Sequence, residues 1–218
     1  NDPDRGLMLL RKLGFSDFLV EEFKNLKLIN CYDLYDDIHD TYGLINSLPK
    51  KLHVRLAGLF YKVFNSENAV EKCRTILKKL KYDNNTINDT CNLVENINNI
   101  SCNMTRKKLK LLINSVGTEN IFDLLDLQKS YLSYMDEYDT ECIDILKNRV
   151  SDILASKEPI FIKDLAITGN DLITELNYKP GKNIGVILNF LLENVMQTPE
   201  LNNKEDLLNL SKQFYSYN

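Results

Sequence analysis

Residues that interrupt helices are scarce in this chain. Its 218 residues include only eight glycines and five prolines, and the polar–apolar alternation typical of strands is almost absent. Apolar residues recur instead at helical spacing, for example over residues 52–64 and 180–197. The sequence therefore predicts an all-α fold and argues against a protein built on a sheet.

The chain also lacks a general excess of positive charge. Lys and Arg number 27 against 31 Asp and Glu, which gives a net charge of -4. A nucleic-acid partner would therefore have to be bound by local basic patches rather than by the field of the whole protein. The apolar fraction of 44% is large enough for a hydrophobic core, and it argues against a disordered chain.

Cysteine pairs with metal-binding or redox spacing are missing as well. The five cysteines form no CxxC pair, and no histidine stands at metal-ligand spacing from them. An odd count in a chain of this length predicts reduced cysteines, no disulfide framework and a cytoplasmic location. No apolar run reaches transmembrane length and no signal peptide is recognisable, so we expect no membrane partner.

The chain has an internal break that suggests two domains. It begins with NDPD rather than with methionine, so we expect it to be a piece of a longer protein. The Glu-Pro pair at 158–159 ends a long helical pattern, which predicts a helical body at 1–157 and a smaller helical tail at 158–218. In the tail, Thr168 and Asp171 have the spacing of a helix-capping box.

A short basic segment in the tail, Lys179-Pro180-Gly181-Lys182, stands at the start of a strongly apolar helical pattern that begins at Pro180. The N-terminus of a helix offers free N–H groups and the positive end of a dipole, which favour a bound anion. Lys179 and Lys182 add charge, and Gly181 would let a phosphate approach the backbone. We therefore predict a clamp on a nucleic-acid backbone; the alternative is a tight interhelical turn with solvated lysines.

A second basic segment begins a helix near residue 105. Arg106, Lys107, Lys108 and Lys110 place four cations within five residues. Such a cluster can bind RNA phosphates, or it can be a solvated helix face. Cations in a first turn also oppose the helix dipole, by a few tenths of a kcal/mol.

Four motifs in the tail resemble the C-terminal end of bacterial class II CCA-adding enzymes, the tRNA nucleotidyltransferases of the poly(A) polymerase family. Their order and spacing match over residues 164–172, 179–185, 191–195 and 199–202. Residues 49–63 and 103–127 also resemble body helices of this family, so that the likeness extends over essentially the whole chain.

The resemblance implies that different domains of the whole enzyme have different tasks. In family members a catalytic head carries metal-binding carboxylates, a neck reads the incoming nucleotide, and the body and tail hold the tRNA. Nothing in this sequence resembles the head, so we assign no catalytic residue, no metal ligand and no cofactor to this chain, and we expect Mg²⁺ in the missing head. The implied partners are tRNA and the catalytic head of the same polypeptide, and the chain alone should not add nucleotides.

Two departures from the family pattern bear on activity. Many relatives carry an HD-type phosphohydrolase site, but Tyr61-Lys62 stands at the position of its His-Asp pair, which predicts a degenerate HD domain. The alternative function is a divergent metal-dependent phosphohydrolase acting on 2′,3′-cyclic or 2′-phosphates. Its one candidate cluster is Asp36, Asp37, His39 and Asp40, which can equally be a solvated acidic face. The second departure lies at residues 128–130, where relatives commonly have Ala-Asp.

Overall fold

The computed structural model describes Arg5, Gly6, Leu9, Leu13 and residues 44–63, 68–134 and 140–217, except the side chains of 62, 63 and 215–217. All regular structure in this part of the chain is helical and no strand occurs in it, which confirms the predicted all-α fold. Within the same residues, no helix combines the length and the apolar character needed to cross a membrane.

Nine α-helices lie within the described chain from Leu52 onward, after a helical segment at 44–47. They are α1 (Leu52–Val63), α2 (Ala69–Lys79), α3 (Asn84–Asn96), α4 (Arg106–Val116), α5 (Ile121–Tyr134), α6 (Glu141–Ala155), α7 (Gly169–Leu176), α8 (Lys182–Gln197) and α9 (Lys204–Tyr217). Short 3-10 helices occur at Ile97–Asn99, Ile162–Asp164 and Pro199–Leu201.

The chain divides into two compact units. One comprises Asn1–Cys102 with Ser115–Lys147, and the other comprises Asn103–Asn114 with Asn148–Asn218. The two units are defined only by which residues pack together, and they do not test where one domain ends and the next begins. The proposed domain boundary at residue 157 therefore stays a prediction.

The first unit is built around α1, which packs against α2, α3 and α5. Val54, Ala57 and Phe60 are almost completely buried, in agreement with the apolar pattern of this helix. Gly58 permits a close approach, since a Cβ at this position would lie 2.5 Å from Leu48 Cδ1. The absence of a side chain at Gly58 thus allows Leu48 to fill the core beside α1.

The second unit has its own apolar core, formed largely by α8 with α7 and α9. The helical spacing of α8 buries Ile184, Leu191 and Val195 among others. The helix begins at Lys182, two residues after the proline at which the apolar pattern suggested a start. Gly169 lets α7 approach α8, because a Cβ on it would lie 2.9 Å from Ile184 Cγ2.

The predicted capping box at the start of α7 is confirmed. The Thr168 N–H donates to Asp171 Oδ2 at 2.7 Å, and the Asp171 N–H donates to Thr168 Oγ1 at 3.4 Å. Two N–H groups that the helix cannot satisfy are paired in this way. The other end of the helix stops at Asn177, whose φ of 54° is left-handed.

One prediction about the cysteines is wrong. Cys102 and Cys142 are joined by a disulfide, although the odd cysteine count indicated that all were reduced. Their separation of 40 residues follows no recognisable spacing rule, so only the fold could reveal that they are neighbours. Cys73 and Cys91 are buried free thiols.

Candidate nucleic-acid interface

The basic segment before α8 is open to solvent. Lys179, Gly181 and Lys182 are all exposed, and neither lysine side chain has a partner among the residues described. Gly181 has φ 151°, a conformation that residues with a Cβ rarely adopt. A Cβ at Gly181 would meet no atom within 4 Å, so the backbone is accessible to a ligand.

The N-terminus of α8 lacks an internal acceptor for its first N–H groups. Gly181 is the N-cap and offers no side chain, and the first turn contains no acidic residue. The Ile184 N–H bonds to the Gly181 carbonyl at 3.1 Å, whereas the N–H groups of Lys182 and Asn183 find no acceptor in the described chain. This arrangement favours an anion, because unpaired donors and the positive end of the helix dipole meet two lysines there.

The residues on both sides of this segment hold it in place. Before it, Tyr178 donates its hydroxyl to the Ser211 carbonyl of α9 at 3.0 Å. After it, the Ile184 side chain is buried in the core of the same unit. The two lysines therefore project from a fixed turn, which reduces the conformational entropy lost when a ligand binds.

The basic first turn of α4 has a different environment. Arg106 bonds to Glu158, with a distance of 2.6 Å between Nη2 and Oε1, and its side chain remains 46% exposed. Lys107 donates to Gln197 Oε1 at 3.3 Å. Lys108 is exposed, and its ammonium group has no partner within the described ranges. Of the cations predicted here, Lys108 is therefore the most available to a phosphate.

Lys110 requires a correction. Its side chain is only 1% exposed, forms an ion pair with Glu158, and donates to the Met196 carbonyl at 3.1 Å. A phosphate cannot reach this ammonium group without unfolding its surroundings. Lys110 is thus a structural residue, and its place in the predicted RNA-binding set is wrong.

Glu158 is the acceptor at the centre of this cluster. Hydrogen bonds from Arg106 and Lys110 stabilise its charged form and outweigh the effect of desolvation, so that its pKa falls from 4.5 to about 2. Glu158 offsets one of the four positive charges that the sequence gathers at the start of α4, and it pairs with two of the four side chains.

A comparison with known protein families covers the part of the chain that contains both basic segments. Residues 60–210, well over half of the chain, match the family described as tRNA nucleotidyltransferase domain 2. The chain belongs to this family. No curated protein and no solved structure matched it. The matched range includes both basic segments, and it confirms the likeness to a C-terminal part of a tRNA nucleotidyltransferase.

Tyr61, which the resemblance aligns with the His-Asp pair of HD-type relatives, makes structural contacts in this tRNA nucleotidyltransferase domain. Tyr61 donates its hydroxyl to Asn98 Oδ1 at 2.7 Å, and its ring meets the edge of Tyr131 with centroids 5.3 Å apart. Neither phenol nor amide is a good ligand for a divalent cation at neutral pH. Tyr61 is therefore a poor candidate for a metal ligand.

No group of three or more His, Cys, Asp and Glu side chains able to hold a metal occurs in the part of the chain that the structure describes. The acidic cluster proposed from the sequence, Asp36, Asp37, His39 and Asp40, lies outside the described residues. The phosphohydrolase alternative rests on that cluster alone.

A polar cluster between α1 and α5 of the tRNA nucleotidyltransferase domain was not indicated by any sequence motif. Asp123 is buried and accepts hydrogen bonds from Lys51 Nζ at 2.7 Å and from His53 Nε2 at 2.9 Å. The carboxylate lies in the first turn of α5, where it also suits the helix dipole. About 70 residues separate these partners along the chain, and no spacing motif links them.

Proposed function

We propose that this domain binds tRNA and positions its 3′ end for CCA addition by a nucleotidyltransferase head. The observation that carries the proposal is the exposed pair Lys179 and Lys182, beside unpaired N–H groups at the start of α8. Membership of the tRNA nucleotidyltransferase domain 2 family supplies the identity of the nucleic acid.

The interaction is expected to recognise shape rather than sequence. Lysine and backbone N–H groups bind phosphate oxygens, which fixes the register of an RNA helix without reading its bases. Lys108 would add a further phosphate contact, while Arg106 and Lys107 would contribute less because each already has a partner. The grip would lie on the acceptor-arm side of the tRNA.

The chemical step would belong to the head domain, where carboxylates would hold Mg²⁺. The role of the present domain is then to place the tRNA end, through binding energy from parts of the substrate that do not react. A bacterial source and a cytoplasmic location remain predictions within this proposal.

A salt titration of tRNA binding tests the proposal. The double variant K179E/K182E should lower the affinity at least about tenfold, and the slope of log K against log salt should fall by about 1.4–1.8, since each of the two phosphate contacts contributes about 0.7–0.9. Lys78 and Lys79 are exposed on α2 and provide the matched control K78E/K79E, which changes the net charge equally.

The double variants K179E/K182E and K78E/K79E must differ in their effect on tRNA binding for the proposal to stand. Equal effects of both double variants would show that only general charge matters, and absence of wild-type binding at low salt would end the tRNA-holding hypothesis. Footprinting of the bound tRNA adds a second test, because protection should fall on the acceptor arm.

A further inference from the structure

A small cleft opens on the first unit. It has a volume of about 320 Å³ and is lined by Ser47, Lys129, Ser130, Ser133 and Tyr134. Ser130, Ser133 and Tyr134 follow one another at i, i+3 and i+4 in α5, so they share one face of that helix. The volume lies near the lower limit of ligand pockets, which suits a single nucleotide better than a helix.

The charge in this cleft is balanced. Lys129 bonds to both carboxylate oxygens of Asp144, at 2.7 and 2.6 Å, and the two side chains are 35% and 51% exposed. A free anion would therefore have to compete with a carboxylate that already occupies the ammonium group. A neutral, hydroxyl-bearing ligand faces no such competition.

The serine hydroxyl groups of the cleft have unused hydrogen-bonding capacity. Ser130 and Ser133 have no hydrogen-bond partner among the described residues, and Ser47 donates to the Leu44 carbonyl at 2.7 Å while its oxygen can still accept. A serine hydroxyl both donates and accepts. The complementary group on a ligand is one that does the same, as a sugar hydroxyl does.

We propose that this cleft binds the ribose of one RNA nucleotide, with its 2′-hydroxyl bonded to Ser130 and Ser133 and its base against the ring of Tyr134. This inference rests on the proposed tRNA binding and adds a site that distinguishes RNA from DNA. It also gives a role to residues 128–130, where the chain departs from the family pattern.

The test compares a single-stranded RNA hexamer with the DNA hexamer of the same sequence, because single strands avoid the difference between A-form and B-form duplexes. Fluorescence anisotropy with the full chain should give RNA an affinity about fivefold higher, the effect of one or two hydrogen bonds. The double variant S130A/S133A should remove this preference and leave DNA binding unchanged. Ser101, exposed and outside the cleft, supplies the control Ser101→Ala.

Cross-linking provides a readout that a purely structural role would not produce. An RNA hexamer carrying 4-thiouridine should form an adduct at Tyr134 in the wild type, and circular dichroism should show that the serine variant keeps its helices. A preference for RNA that persists in S130A/S133A overturns the inference, as does a wild type that binds both hexamers equally or not at all. If K179E/K182E still weakens tRNA binding in that case, the proposed function stands without the cleft.

Discussion

Replacing Lys110 by methionine tests whether the basic turn of α4 is structural. Methionine keeps the unbranched apolar stem of the side chain but removes the ammonium group that bonds to Glu158 and to the Met196 carbonyl. Breaking a buried ion pair on one side costs about 3–5 kcal/mol, but Glu158 keeps Arg106 as a partner and is 22% exposed. We therefore expect a loss of about 2–3 kcal/mol in the free energy of unfolding.

The loss can be measured by urea unfolding followed by circular dichroism at 222 nm, a wavelength that suits an all-α protein. A change of this size corresponds to a fall of about 5–10 °C in the melting temperature of a chain of this length. The control is Lys108→Met, two residues earlier and exposed, which should change stability by less than about 0.5 kcal/mol. Equal stability of wild type and K110M would refute the structural role of Lys110.

A double-mutant cycle measures the interaction energy between Lys110 and Glu158 apart from their contacts with other residues. E158Q alone should destabilise more than K110M, because it leaves a buried ammonium group without an anion. The double variant K110M/E158Q should lose less than the sum of the two single variants, with a coupling of about 1–3 kcal/mol. Additive losses would mean that the two side chains do not interact.

The same pair predicts a pH dependence with a defined sign. The pKa of Glu158 is about 2 in the folded protein and 4.5 as the ordinary value. Because the folded pKa is lowered, the carboxylate stabilises the protein fully above pH 4.5, and this contribution is lost as the pH falls through 2. Its size is at most about 3 kcal/mol, reduced by hydration of the partly exposed group. The difference in stability between wild type and E158Q should shrink correspondingly in acid.

Three further substitutions follow from packing. Gly58→Ala should destabilise by about 1 kcal/mol in urea unfolding, because the new Cβ would lie 2.5 Å from Leu48 Cδ1 and overpacking outweighs the gain in helix propensity. Gly185→Ala should instead stabilise by up to about 1 kcal/mol, because its Cβ would meet no atom within 4 Å. Cys102→Ser should lower stability by about 3–4 kcal/mol through loss of the 40-residue loop closed with Cys142. Reduction of the wild type with dithiothreitol should lower its stability by a similar amount. An unchanged midpoint of urea unfolding after reduction would argue against the disulfide.

Features that depend on neighbouring residues could be predicted from the sequence. The capping box of α7 needs only Thr168 and Asp171, which lie three residues apart, and the apolar stripe of α8 depends on a period of 3.6. The exposure of Lys179 and Lys182 followed from a turn whose conformation Gly181 determines locally. In each case the interacting groups are separated by less than two helical turns.

Features that depend on distant partners could not be predicted in this way. The disulfide between Cys102 and Cys142 spans 40 residues, and the contact of His53 with Asp123 spans 70. No period or motif connects such positions, because only the packing of several helices brings them together. The assignment of Lys110 to an RNA-binding set failed for the same reason, since its carbonyl partner Met196 lies 86 residues away.

The helix dipole explains why cations at the start of α4 are tolerated. Three positive side chains in the first turn and a fourth directly after it should weaken a helix, because they stand near the positive end of its dipole. Here Glu158 supplies the compensating anion, and Lys110 extends to a carbonyl in the last turn of α8, where a positive charge is favourable. By contrast, Lys179 and Lys182 stand at the positive end of α8 with no anion from the described chain. A phosphate of the bound RNA would provide the anion at α8 that Glu158 provides at α4. We therefore expect tRNA binding to depend on Lys179 and Lys182, and the stability of the fold to depend on the ion pairs of Glu158.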